Sequence, residues 1–137
     1  MPTVKVNWVG AHQFVGTDSN GHSVVLSGDD PATGVRPSEM LLVALAACSG
    51  YDVVEIMAKK RRPLDFFEVI VDGERDPRPP WAYRTIRVTY RLRGRDVTEK
   101  AVRLAIDLSV KKYCSVAATI GAVARIETAF EILAGPS

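Results

Sequence analysis

Between Met40 and Ala58 the chain is apolar around almost the whole circumference of the helix it would form, interrupted chiefly by Ser49, Asp52 and Glu55. A helix of this kind has to be enclosed rather than laid on a surface. Its length would suit a bilayer, but charged side chains at membrane depth are costly, so Asp52 and Glu55 argue for burial in protein. Pro37 and Glu39 suit the first turn, where the missing N–H is no loss and a carboxylate meets the positive end of the dipole. Lys59-Lys60-Arg61-Arg62-Pro63 suits the last turn, read as a dipole-favoured cap and a stop. A helix is therefore expected from Pro37 to about Lys60. In a chain of 137 residues, expected as one domain over 1–137, few other elements are left to surround it. A second copy packing its own helix alongside solves that problem, and a homodimer is expected.

Strands flank the helix. Val4, Val6 and Trp8 alternate with Lys5 and Asn7, the period of a half-buried strand. A run from His12 to Asp18 leads through Ser19-Asn20-Gly21-His22 to Ser23–Leu26, and Asn-Gly is a strong hairpin signal, accepting positive φ at both positions. Beyond the helix, Phe67 to Glu74 and Tyr83 to Arg93 read as two further strands. Asp96-Val97-Thr98-Glu99 has the spacing of a capping box with Asp96 as the cap. It opens an amphipathic helix with Ala101, Val102, Leu104, Ala105 and Leu108 on one side. That helix is expected to break near Lys111-Lys112-Tyr113, with a short second one from Cys114 to Ala124 and a last strand over Ile126–Leu133. Hairpins segregated from helices indicate an α+β fold.

Composition narrows the function. A net charge of +2 announces no nucleic-acid partner. The row Arg87, Arg91 and Arg93 has no aromatic platform interleaved with it, so it reads as a solvated sheet face. The N-terminus lacks the pattern of a secretory signal, and a cytoplasmic location with no membrane attachment is expected. No spacing of Cys or His suggests a metal site, and nothing calls for a cofactor.

The chemistry centres on two cysteines. In a reducing compartment they are either inert buried residues or a working redox pair. Cys48 lies mid-helix among small residues that allow close approach. Cys114 lies at a helix start behind Lys111 and Lys112, where N–H groups and cations lower a thiol's pKa. Asp52 follows Cys48 by one turn on the same face; a carboxylate there would raise a thiol's pKa, so it reads as a structural hydrogen-bonding residue directed to the partner or toward Tyr51.

Arg36-Pro37-Ser38-Glu39-Met40-Leu41-Leu42-Val43-Ala44-Leu45-Ala46-Ala47-Cys48 resembles the cysteine helix of the OsmC/Ohr family, the osmotically inducible and organic hydroperoxide resistance proteins. Lys112-Tyr113-Cys114-Ser115-Val116 resembles its second cysteine motif, and Trp8–His22 its opening hairpin. Cys48-Ser49-Gly50-Tyr51-Asp52 is closer to the OsmC-like subgroup than to the Ohr enzymes. The resemblance implies antiparallel sheets wrapped around long central helices in an intertwined homodimer. It also implies reduction of organic hydroperoxides by a thiol peroxidase in which Cys48 is peroxidatic and Cys114 resolving. A dithiol such as dihydrolipoamide would restore both. Glu39 matches the glutamate that in the enzymes orients an arginine. Nine residues separate it from Cys48, about 13 Å along an axis and half a turn out of phase, so it would serve the partner's thiol in trans. Ohr-type enzymes carry that arginine in the early hairpin, where Gly10–Gly16 has none. Arg36 is the nearest substitute cation, and slow turnover is expected.

Two other readings fit parts of the sequence. One is a non-enzymatic OsmC-like dimer that binds a small apolar or thiol ligand. The other is a hot-dog thioesterase using Asp52 or Glu55, which leaves Cys114 unexplained.

Overall fold

The computed structural model describes residues 1–135, and it divides into two compact units, Met1–Leu41 and the chain from Leu42 onward. In the first unit β1 (Lys5–Trp8), β2 (Gln13–Thr17) and β3 (Ser23–Ser27) form an antiparallel meander in that order. The β2–β3 connection is wider than a two-residue Asn-Gly turn. Thr17 pairs with Ser23, and Asp18 organises the loop by accepting N–H bonds from Asn20 at 2.9 Å and His22 at 2.8 Å. Gly21 alone takes a positive φ in this turn, 85°. The short aspartate side chain thus does what two left-handed residues would otherwise do.

Helix α1 spans Pro37–Lys59, beginning in the first unit and running through the second. The second unit continues with β4 (Phe66–Arg75), β5 (Tyr83–Arg93), α2 (Glu99–Leu108), a π turn (Ser109–Tyr113), α3 (Ser115–Ile120) and β6 (Arg125–Ile132). β4 and β5 are antiparallel, whereas β6 joins β5 in parallel. The reason is topological: the chain returns over the helices instead of turning back, so the sheet is mixed rather than antiparallel throughout.

Alternation in β5 sorts its side chains as the sequence suggests. Ile86, Val88, Tyr90 and Leu92 are buried in one core with Leu45, Val53 and Met57 of α1 and with Val102 and Ala105 of α2. On the opposite face Arg91 meets Glu68 at 2.7 Å and Glu131 at 3.3 Å, one on each neighbouring strand, and Arg87 lies 3.7 Å from Glu127. Carboxylates of the same sheet therefore answer the basic row.

Two expectations are corrected here. The cap of α2 is Thr98, whose Oγ1 accepts the Ala101 N–H at 3.2 Å, and not Asp96, whose carbonyl instead accepts from Arg62. The buried side of α2 is Ala101, Val102, Ala105 and Ile106, while Leu104 is exposed. The single chain does not enclose α1, in line with the expectation that one copy has too few elements to surround it. Leu45, Ser49, Gly50, Val53 and Met57 form one buried stripe, whereas Leu41, Val43, Tyr51 and Val54 are exposed. Gly50 belongs to that stripe because a Cβ there would sit 2.9 Å from the Phe67 ring; its absence lets α1 close down on β4.

Candidate functional site

Cys48 and Cys114 meet. Cys48 is half-buried on α1 and Cys114 is 3% exposed, and Cys48 is near enough to act on the Cys114 thiol. Local structure explains how Cys114 arrives there. The π turn widens the end of α2, and the Cys114 N–H closes it on the Ser109 carbonyl at 2.8 Å. Cys114 then turns extended, and its Sγ accepts the Ala117 N–H at 3.3 Å, capping α3. Inserted π turns of this sort are frequent at functional sites.

The Cys114 thiol departs from expectation. It is pushed up from 9.0 to about 11, first by burial and then by its contact with Cys48; the N–H groups of Ala117 and Val116 pull the other way without prevailing. Lys111 and Lys112 do not reverse this. The Lys111 ammonium lies in solvent 4.0 Å from Asp107, and that of Lys112 lies over the Tyr113 ring, 5.5 Å from its centroid. Cys114 therefore holds its proton at neutral pH. Iodoacetamide labelling of Cys114, followed by peptide mapping, is expected to be slow below pH 9 and to rise about tenfold per pH unit toward 11. A plateau reached by pH 9 would contradict that assignment.

Beside the sulfurs lies a chain of polar groups that sequence reasoning missed. Ser49 Oγ shares a hydrogen bond with the Tyr90 hydroxyl at 2.6 Å. Ser109 Oγ lies 2.9 Å from Ser49 Oγ and 2.8 Å from Asp52 Oδ2. Ser49, Tyr90 and Ser109 are all fully buried. The Tyr90 phenol is raised above its ordinary range, chiefly by burial, with a smaller push from Cys114 and Asp52. The partner of Asp52 is thus Ser109 of the same chain. The one hint in the sequence was a serine, Ser49, within an otherwise apolar helical stripe.

Arg36 and Glu39 pair at the start of α1, 3.0 Å apart, and Arg36 also holds Asp29 at 2.7 Å. Both side chains are exposed, and Glu39 followed by Asp29 raises the arginine further above its ordinary range. Glu55 is taken up by Lys59 at 2.9 Å, so both carboxylates considered for thioesterase chemistry are engaged. An apolar cleft of about 700 Å3 lies between α1 and β4, lined in part by Val43, Ala47, Gly50, Tyr51, Val54 and Phe67.

A model of the OsmC-like protein family matches residues 28–129, a stretch that contains Arg36, Glu39 and both cysteines. The chain belongs to the OsmC-like family. Protein YhfA of Escherichia coli (strain K12) is 35% identical over 130 residues, covering 95% of this chain and 97% of YhfA. Among solved structures, a protein of Aquifex aeolicus VF5 shares 29% identity at a TM-score of 0.89, covering 99% of this chain and 98% of that one. The organic hydroperoxide resistance protein OhrB of Bacillus subtilis is similar at a TM-score of 0.63 and 15% identity, over 96% and 98% of the two chains. At that distance the likeness is one of fold. This OsmC-like chain thus has the family's α+β fold, and the family resemblance drawn from its two cysteine motifs is confirmed.

Proposed function

We propose that this OsmC-like protein is a cytoplasmic thiol peroxidase that reduces organic hydroperoxides with Cys48 as the attacking sulfur and Cys114 as the resolving one. What supports the reading is the proximity of Cys48 to Cys114, close enough to act on its thiol. Cys114 is the buried, proton-retaining member, so the attacking role falls to half-buried Cys48. In the first step the Cys48 thiolate attacks the distal peroxide oxygen and the O–O bond breaks. The alkoxide leaves with a proton as the alcohol, and Cys48 becomes a sulfenic acid. In the second, the Cys114 sulfur attacks the sulfenic sulfur; its proton departs with the hydroxide as water, and a disulfide remains. A dithiol such as dihydrolipoamide exchanges with that disulfide, leaving as its own cyclic disulfide and restoring both thiols. The Arg36–Glu39 pair serves as cation and orienting carboxylate, offered in a homodimer to the partner subunit's Cys48.

Cumene hydroperoxide added to the reduced protein is expected to remove two hydrogens by mass and to leave a trapped sulfenic acid in Cys114→Ser. Peroxide that leaves both thiols free while alkylating agents reach Cys48 would overturn the reading. The apolar cleft between α1 and β4 favours one alternative in that event, a dimer that binds a small apolar molecule without chemistry.

A further inference from the structure

We propose that Ser109 is a positioning residue that clamps the two sulfurs in register, tying Cys48's helix to the π turn that carries Cys114. The proposal rests on the reading of Cys48 and Cys114 as an exchanging pair and assigns a device that the pair needs. Ser109 acts through both its ends. Its hydroxyl reaches α1 at Ser49 and Asp52, by 2.9 and 2.8 Å, and Ser49 is the residue next to Cys48. Its carbonyl accepts the Cys114 N–H at 2.8 Å. One buried residue therefore bonds to the neighbour of one cysteine and to the backbone of the other.

A hydroxyl has one hydrogen to give, and a carboxylate can only accept, so the Ser109 proton goes to Asp52. Ser109 Oγ also lies within hydrogen-bond distance of Ser49 Oγ, and Ser49 Oγ shares a hydrogen bond with the Tyr90 hydroxyl, so all three hydroxyls belong to one chain. The chain is satisfied at every link, and buried networks of that kind define a single geometry. Disulfide closure requires it, because the bond tolerates only a narrow range of separations and dihedrals. Among the described residues, no buried side-chain nitrogen or oxygen lacks a partner, so removing the Ser109 hydroxyl would create such a defect beside the cysteines.

The test measures closure without peroxide. In buffers of oxidised and reduced dithiothreitol, the ratio of disulfide to dithiol protein gives the effective concentration of one thiol toward the other. Ser109→Ala is expected to lower it at least tenfold. Val102→Ala, a core truncation in α2 away from the hydroxyl chain, is expected to leave it unchanged. Equal closure in Ser109→Ala and wild type overturns the clamp, as does an equal drop in Val102→Ala, which would make the effect one of general loosening. Should Ser109→Ala fail to fold, Asp52→Ala at its half-buried position carries the same test, with about a threefold loss expected and no loss overturning the proposal. A wild-type pair that never closes in these buffers overturns the clamp and the redox reading together. A pair that closes in them but ignores hydroperoxide overturns only the peroxidase reading.

Discussion

Cys48→Ser is expected to reduce consumption of cumene hydroperoxide with dihydrolipoamide at least about 1,000-fold, to the level of the uncatalysed reaction. Serine's hydroxyl is a far weaker nucleophile at neutral pH and has no accessible sulfenic state. Cys114→Ser should behave differently, giving one normal turnover per chain and then stalling at the sulfenic acid. Wild-type turnover itself is expected to be slow, because removing one charge-stabilising donor from such a site commonly costs about 100-fold and the hairpin from Gly10 to Gly16 supplies no arginine. Arg36→Ala should then abolish what activity remains, while Lys111→Ala, whose ammonium is in solvent, should leave it intact. Stopped-flow peroxide assays separate these outcomes. Full activity in Cys48→Ser would assign the chemistry elsewhere.

The second large effect concerns assembly. The protein is expected to scatter light as a dimer at micromolar concentration, and Val43→Glu combined with Val54→Glu is expected to halve that mass. Val43 is 49% exposed and Val54 44% exposed on α1. They are separated by close to three helical turns and so share a face, with exposed Tyr51 next to it. Exposed apolar surface of this continuity marks an interaction site. Charging both positions would set carboxylates against their own symmetry copies and weaken association at least about 100-fold. Circular dichroism should be unaffected, since neither side chain is buried within one chain. A wild-type monomer would remove the dimer and with it the trans role of Glu39, whereas a double variant that remains dimeric would place the interface away from this face of α1.

What the sequence disclosed follows the range of its interactions. Helix α1 ends at Lys59, beside the expected Lys60, because proline, the first-turn glutamate and the terminal basic run are local signals. The alternation of Ile86, Val88, Tyr90 and Leu92 located β5 and its buried face for the same reason. The hydroxyl chain was out of reach because Ser49 and Ser109 are 60 positions apart, and no periodicity couples a serine in one helix to a serine in another. The residues alone left Cys48 and Cys114 open between inert and redox-active, and only the family's two motifs joined them in one reading. The depth of Cys114 was not visible at all, since lysines adjacent in sequence point to solvent while the intervening turn carries the sulfur inward. Local charge is legible in the sequence; desolvation, the larger effect at Cys114, depends on the whole crossover.

The parallel pairing of β6 with β5 also sets an order of events during folding. The β4–β5 hairpin joins neighbours in sequence and can form early. β6 reaches its place only after everything from Gly94 to Ala124 has been gathered into a crossover, a closure whose entropy must be met before its contacts help. Cys114 lies inside that late segment and Cys48 on a helix that is continuous before it. The two thiols therefore become neighbours only near the end, so a nascent or partly unfolded chain holds two separate cysteines that only the completed fold brings together.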